Sequence, residues 1–190
     1  MHTGFKALAV AGVLGLAACQ PGAPLDVSSA DKEAALQQQC LNALNELFTE
    51  VDGSKTIVDN AKGTVVFPDL TSAGFIFGAE TGNGCLVQDG KVVSYYNKSG
   101  VSFGFTAGAQ SVSQAVVLNS DAAMAKLTSA AGLDFGANAS ATLVSTGASG
   151  SINTRQLMTQ EILVFVWGET GLMASADING TKITEISFDS

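Results

Sequence analysis

Apolar residues recur at spacings of four, four, three and four from Leu36 through Cys40, Leu44 and Leu47 to Val51. Lys32, Gln38, Asn42 and Glu46 fall mostly elsewhere. Such spacing gathers one apolar stripe on a helix, so an amphipathic helix is predicted from about Ala30. Ser29 or Asp31 is placed to cap its start, and Asp52-Gly53 marks its end. A second, short helix fits residues 54–61, with Ser54 as N-cap and Gly63 just beyond its C-terminus. Residues 20–27, with two prolines, one glycine and little apolar pattern, read as a spacer ahead of the folded part.

Beyond Gly63 the texture turns to β. Val65-Val66-Phe67 ends at Pro68, and residues 74–79 alternate Phe75, Phe77 and Ala79 with Gly74, Ile76 and Gly78. Cys85-Leu86-Val87 runs into an Asp89-Gly90 turn and returns over 91–96. Residues 101–110 alternate most cleanly, with Val101, Phe103, Phe105, Ala107 and Ala109 on one side. A third helix is expected over 120–130, starting at Ser120 or Asp121, and further strands over 136–144 and 161–167. The run from Ile162 to Trp167 is apolar on both faces, which implies a strand covered on both sides. Residues 171–178 and 182–188 resemble a closing hairpin around Asn179-Gly180, and 145–153 reads as a loop. Gly74, Gly78, Gly104, Gly108 and Gly136 fall inside these predicted strands. Glycine weakens a strand unless the sheet bends or another backbone comes close. The expected fold is therefore α+β and β-rich: a strongly curved antiparallel sheet or partial barrel with N-terminal and central helices packed on it.

The first residues follow a different logic. Lys6 precedes an apolar run, 8–18, that is too short for a permanent span and has the layout of a secretory signal. Leu16-Ala17-Ala18-Cys19 resembles the bacterial lipobox, whose cysteine is acylated and becomes the new N-terminus. A plain signal peptide cleaved near Ala18 is the alternative. Gln20 stands where an inner-membrane retention signal typically shows Asp. The resemblance thus implies a lipid anchor at the outer membrane, facing the periplasm. The expected organisation is a signal peptide over 1–18, a lipidated N-terminus and spacer over 19–29, and one domain over 30–190.

Composition narrows the chemistry. Without residues 1–18 the chain keeps eight basic and 17 acidic side chains, a formal charge of −9. Such a surface repels nucleic acid and is not drawn to anionic headgroups. The single histidine, His2, leaves with the signal. Ser-His-Asp and Cys-His machinery is then excluded, and the commonest transition-metal ligand is missing. No calcium loop or phosphate-binding glycine motif is present, so no cofactor or metal is expected. Cys40 and Cys85 remain in a compartment that permits disulfides; either they pair or they are two buried thiols.

Several short motifs, in order, resemble the SYLF domain, a lipid-binding module. They are Ala61-Lys62-Gly63, Val66-Phe67-Pro68, Ala73-Gly74-Phe75 with Gly78, Gly82 and Gly84, then Tyr95-Tyr96, Ser102-x-Gly104, Gly108-Ala109-Gln110 and Gly136-Ala137. The likeness ends at Gly171-Leu172-Met173-Ala174 and Ile178-Asn179-Gly180-Thr181-Lys182-Ile183, and runs in all from about Ala34 to Ser187. It departs at Ser175, where the family usually has glycine, and over 91–94, which lacks a proline the family tends to carry. The resemblance implies the fold and non-catalytic lipid binding. The basic surface of a phosphoinositide binder is absent, so that specificity is not carried over.

The candidate lipid-contacting residues are Lys62, as a point charge for a phosphate, and Phe67, Phe75, Phe77, Phe103 and Phe105, as the lining of an acyl-chain pocket. The competing readings are helix capping by Lys62 and ordinary core for the phenylalanines. Of Tyr95 and Tyr96, at most one can face a membrane surface, because neighbours on a strand point opposite ways. Ser29 with Lys32, and the carboxylates Glu161, Glu169 and Asp177, fix no catalytic roles. The expected partners are membrane lipid, as anchor and ligand, or a protein of the envelope; no enzyme activity is expected.

Overall fold

A computed structural model describes residues 28–74, 77–103, 108–144, 153–168, 171–172 and 180–188, without the side chains of 72–78, 102–110 and 171–172. Helix α1 (Ser29–Glu50) is followed by α2 (Ser54–Asp59) and the long strands β1 (Gly63–Gly74), β2 (Phe77–Gln88), β3 (Lys91–Phe103) and β4 (Gly108–Leu118). Then come α3 (Asp121–Leu127), β5 (Leu133–Asp134), β6 (Thr142–Leu143), α4 (Thr154–Leu157), β7 (Ile162–Gly168), β8 (Gly171–Leu172) and β9 (Thr181–Ile186). The strands form one sheet in the order β5-β9-β3-β2-β1-β4-β7-β6, with β8 paired to β7. The sheet curls into a half-barrel, and its pairs are antiparallel except β6 with β7.

The predicted apolar stripe of α1 is the buried one: Leu36, Cys40, Leu44 and Leu47, joined by Ala43, lie against the sheet. Each fully buried large apolar side chain contributes about 1.5–3 kcal/mol. The cap is Ser28, one residue before the expected Ser29, and its Oγ accepts from the Asp31 N–H. Helix α2 starts after Gly53, whose positive φ of 85° suits glycine. Ser54 instead donates its hydroxyl to the Leu47 carbonyl, tying α2 to the end of α1. Ser120 caps α3, as its type and position suggested.

Alternation in the central strands divides the core in two. Val65, Phe67, Leu86, Val116, Leu118, Ile162, Val164 and Val166 pack on one face with Ala123 and Leu127 of α3. Val66, Cys85, Val87, Ala115, Val117, Leu163, Phe165 and Trp167 pack on the other face with α1 and Ile57 of α2. Strand β7 is buried from Ile162 to Trp167, as its doubly apolar pattern required.

Several expected elements change. Strand β1 does not stop at Pro68 but continues to Gly74, and its pairing with β4 shifts register between Phe67 and Leu70. A bulge is where a strand tolerates proline, which has no N–H for the ladder. Residues 74–79 are not one strand: β1 ends at Gly74, β2 begins at Phe77, and Gly74 pairs with Gly78. The alternating run 101–110 is likewise divided between β3 and β4, which lie three strand positions apart. Expected strand 136–144 is reduced to the two-residue β6 and an isolated bridge from Phe135 to Ala139. Among the described residues the closing hairpin is not seen; residues 173–179 of it lie outside them. Strand β8 pairs with β7, whereas β9 lies between β3 and β5. The loop expected over 145–153 lies almost wholly outside the described residues.

Cys40 of α1 and Cys85 of β2 form a disulfide, 45 residues apart in sequence. Both are fully buried.

Candidate functional site

The last two turns of α1, helix α2 and the β2–β3 hairpin enclose the largest described groove, about 550 Å³. Leu44, Phe48, Val58, Ala61 and Val87 give it apolar walls; Asn45, Lys55, Asp59, Gln88 and Asp89 give it a polar mouth. Its volume falls within the range of small-molecule sites, about 300–1,000 Å³. The local sequence builds each wall. Phe48 and Val58 lie beside the buried stripe of the helices and remain partly exposed at its margin. At the far wall Asp89 (φ 49°) and Gly90 (φ 72°) make a turn with two successive positive φ angles, the signature of a tight type I′ hairpin. Gln88 Nε2 donates to the Lys62 carbonyl at 2.8 Å and holds the hairpin against the segment leading into β1.

The charges at this mouth are unequal. Lys55 meets Asp59 at 2.6 Å, one helical turn on, and its ammonium stands 5.5 Å from the Phe48 ring centroid. Asp89 has no ion-pair partner among the described residues. Two smaller grooves flank α1. One, of about 370 Å³, includes Lys32, Leu36, Pro68, Asp69 and Phe188. The other, of about 270 Å³, includes Glu46, Glu50, Ser111, Ser113 and Trp167.

The residues proposed from sequence do not meet in one place. Phe67 is fully buried on the α3 face and lines none of these grooves, so here the core reading applies. Its ring fills the space over Gly84, where an added Cβ would come within 2.5 Å of Phe67 Cδ1. Phe77 and Phe103 are cross-strand partners through their backbones. Phe75 and Phe105 lie outside the described residues, as do Cys19, Glu169 and Asp177. Lys62 follows α2 rather than ending it, and pairs with Asp121 in the first turn of α3 at 3.2 Å. Tyr96 is buried on the α3 face, whereas Tyr95 is half-buried and edge-on to Phe188, 5.2 Å between centroids. Burial and a hydrogen bond to Glu33 raise the pKa of the Tyr95 hydroxyl. Glu161 is taken up by Lys126 at 3.2 Å.

Sequence reasoning did not find a buried ion pair on the α3 face. Glu80 of β2 and Lys98 of β3 join at 9% and 1% side-chain exposure. The register places Lys98 opposite Gly82 and Glu80 opposite Gly100, so each charged side chain lies beside a residue without one. Burial lowers the Lys98 pKa below the ordinary lysine value, and the Glu80 charge opposes that shift. The signal that was available is the alternation Tyr96, Lys98, Gly100, which places Lys98 on the same inward face as a buried tyrosine.

Residues 99–187 match a family model described as Ysc84, Las17-binding protein actin regulator. That stretch is therefore similar to the SYLF family, consistent with the likeness read from the motifs. The match begins within β3, so α1, α2, β1, β2 and the groove they form lie ahead of the matched residues. No curated protein matches the chain. No helix among the described residues is long and apolar enough to cross a membrane.

Proposed function

We propose that this chain is a non-catalytic, lipid- or amphiphile-binding lipoprotein of the bacterial envelope. Its anchor is the acylated Cys19, at the outer membrane and facing the periplasm. The observation that carries this reading is the 550 Å³ groove, apolar inside and polar at its mouth, on a chain similar over residues 99–187 to the SYLF family. Binding there rests on burial of an acyl segment against Leu44, Phe48, Val58, Ala61 and Val87, with the head held at the charged mouth. The lipobox-like Leu16-Ala17-Ala18-Cys19 supports the anchor, which raises the local concentration of membrane lipid around the domain.

A second reading is a protein-interaction lipoprotein without a lipid site. The matched family's description, Las17-binding, refers to a protein partner, and Val93 and Val101 of β3 are 53% and 47% exposed. Native mass spectrometry of the chain exported without Cys19, followed by lipid extraction, separates the two. A stoichiometric co-purifying lipid supports the first reading. A bare protein that also fails to bind mixed liposomes overturns it in favour of the second.

A further inference from the structure

We infer that the groove selects an ammonium-bearing, zwitterionic head, of the phosphoethanolamine type, over an anionic one; this rests on the lipid-binding reading above. Three features of the mouth point the same way. It carries one cation, Lys55, against two carboxylates, Asp59 and Asp89. Lys55 is already held by Asp59, whereas Asp89 is unpaired among the described residues and stands on the opposite wall. The groove also adjoins the final turns of α1, the negative end of that helix's dipole, and the last turn has no basic residue to offset it. An anionic head would meet a mouth with excess negative charge. A head that carries its own ammonium brings a counter-charge for Asp89, while its phosphate can face Lys55, which lines the same groove. The strongly acidic chain reinforces the discrimination, because it supplies no basic field to recruit anionic lipid.

The test uses the full chain carrying Cys19→Ser, which cannot be acylated, and two soluble probes, dihexanoyl phosphatidylethanolamine and dihexanoyl phosphatidylglycerol. Binding is followed by the amide signals of Asn45, Gln88 and Gly90. The ethanolamine lipid is expected to bind more tightly. Asp89→Asn keeps the turn, because asparagine tolerates positive φ, but removes the charge. It is expected to weaken ethanolamine-lipid binding about twofold to fivefold, the size of an exposed ion pair, and to tighten the glycerol lipid modestly by removing a like charge. Asp59→Asn frees Lys55 and narrows the preference from the other side, by strengthening the glycerol lipid. Equal or tighter binding of the glycerol lipid, or an unchanged preference in Asp89→Asn, overturns the inference and leaves lipid binding standing. Failure of both lipids to bind at saturating concentration overturns both.

Discussion

The two faces of the sheet draw alternate residues from the same strands, yet they are closed in different ways. On the α3 face Val65, Phe67, Tyr96, Val116, Phe135 and Ile183 form a continuous core, and the Lys98–Glu80 pair is sealed within it. On the α1 face the cover is a long helix, fastened to β2 through Cys40–Cys85 and flanked by grooves on its margins. A face closed mostly by side chains of the curled sheet, with only the short helix α3 added, leaves little space. A face closed by a separate helix leaves seams wherever helix and strand diverge. The proposed ligand groove accordingly lies on the α1 face, and the sealed ion pair on the α3 face.

Breaking the closed face should have the largest effect. Lys98→Met leaves Glu80 buried without a counter-charge and is expected to cost about 3–5 kcal/mol in urea unfolding. Replacing both, Lys98→Met with Glu80→Leu, should restore stability to near or above wild type, because desolvation of two charges offsets their attraction. A single substitution as mild as a surface change would show that the pair is not sealed.

Removing the fastening of the other face comes next. Cys40→Ala with Cys85→Ala opens a 45-residue loop, and chain entropy predicts a loss of about 4 kcal/mol, with 2–4 typical in practice. Hydrogen exchange should locate the loosening at the contact of α1 with β1 and β2, while α3-face amides of β4 and β7 stay protected. Uniform loss of protection would mean that the faces are not separable. Smaller again is Phe48→Ala, at a partly buried groove wall, where about 1 kcal/mol is expected, the centre of the range for single substitutions.

A further effect, of similar size, is in pH. Between the lowered Lys98 pKa and the ordinary lysine value, the unfolded chain holds a proton on Lys98 that the folded chain has released. Wild-type stability should therefore rise with pH in that window relative to the Lys98→Met, Glu80→Leu variant, by at most about 1.4 kcal/mol per unit. Tyr95 and Tyr96, whose hydroxyls are raised by burial, act oppositely but are common to both proteins, so the difference isolates Lys98. A flat difference would place the Lys98 charge in water.

What could be read from the sequence was what is local. The stripe from Leu36 to Val51 and the doubly apolar β7 are set by spacing alone, and the curled sheet with helices on it followed from strand glycines and the family likeness. Continuation of β1 through Pro68 was not legible, because the bulge that admits proline exists only in the pairing of β1 with its neighbours. Nor was the place of β9: Asn179-Gly180 is a good turn pair, but the partner of β9 is β3, some eighty residues earlier. The ion pair needs the β2–β3 register to bring residues 80 and 98 together. The groove needs three separate segments, and its lining is made of residues that looked ordinary one by one, whereas the conspicuous Phe67 went to the core.

The central claim is that amphiphile binds in the seam between α1, α2 and the β2–β3 hairpin. Ala61 lines that seam at the margin of the α1-face core and is half-exposed, so Ala61→Trp puts bulk into the groove, and the unfolding midpoint reports any cost to the core. The decisive measurement is titration of wild type and Ala61→Trp with dihexanoyl phosphatidylethanolamine, alongside their unfolding midpoints. The account predicts binding by wild type, its loss in Ala61→Trp, and matching midpoints. Undiminished binding by a folded Ala61→Trp protein would contradict it.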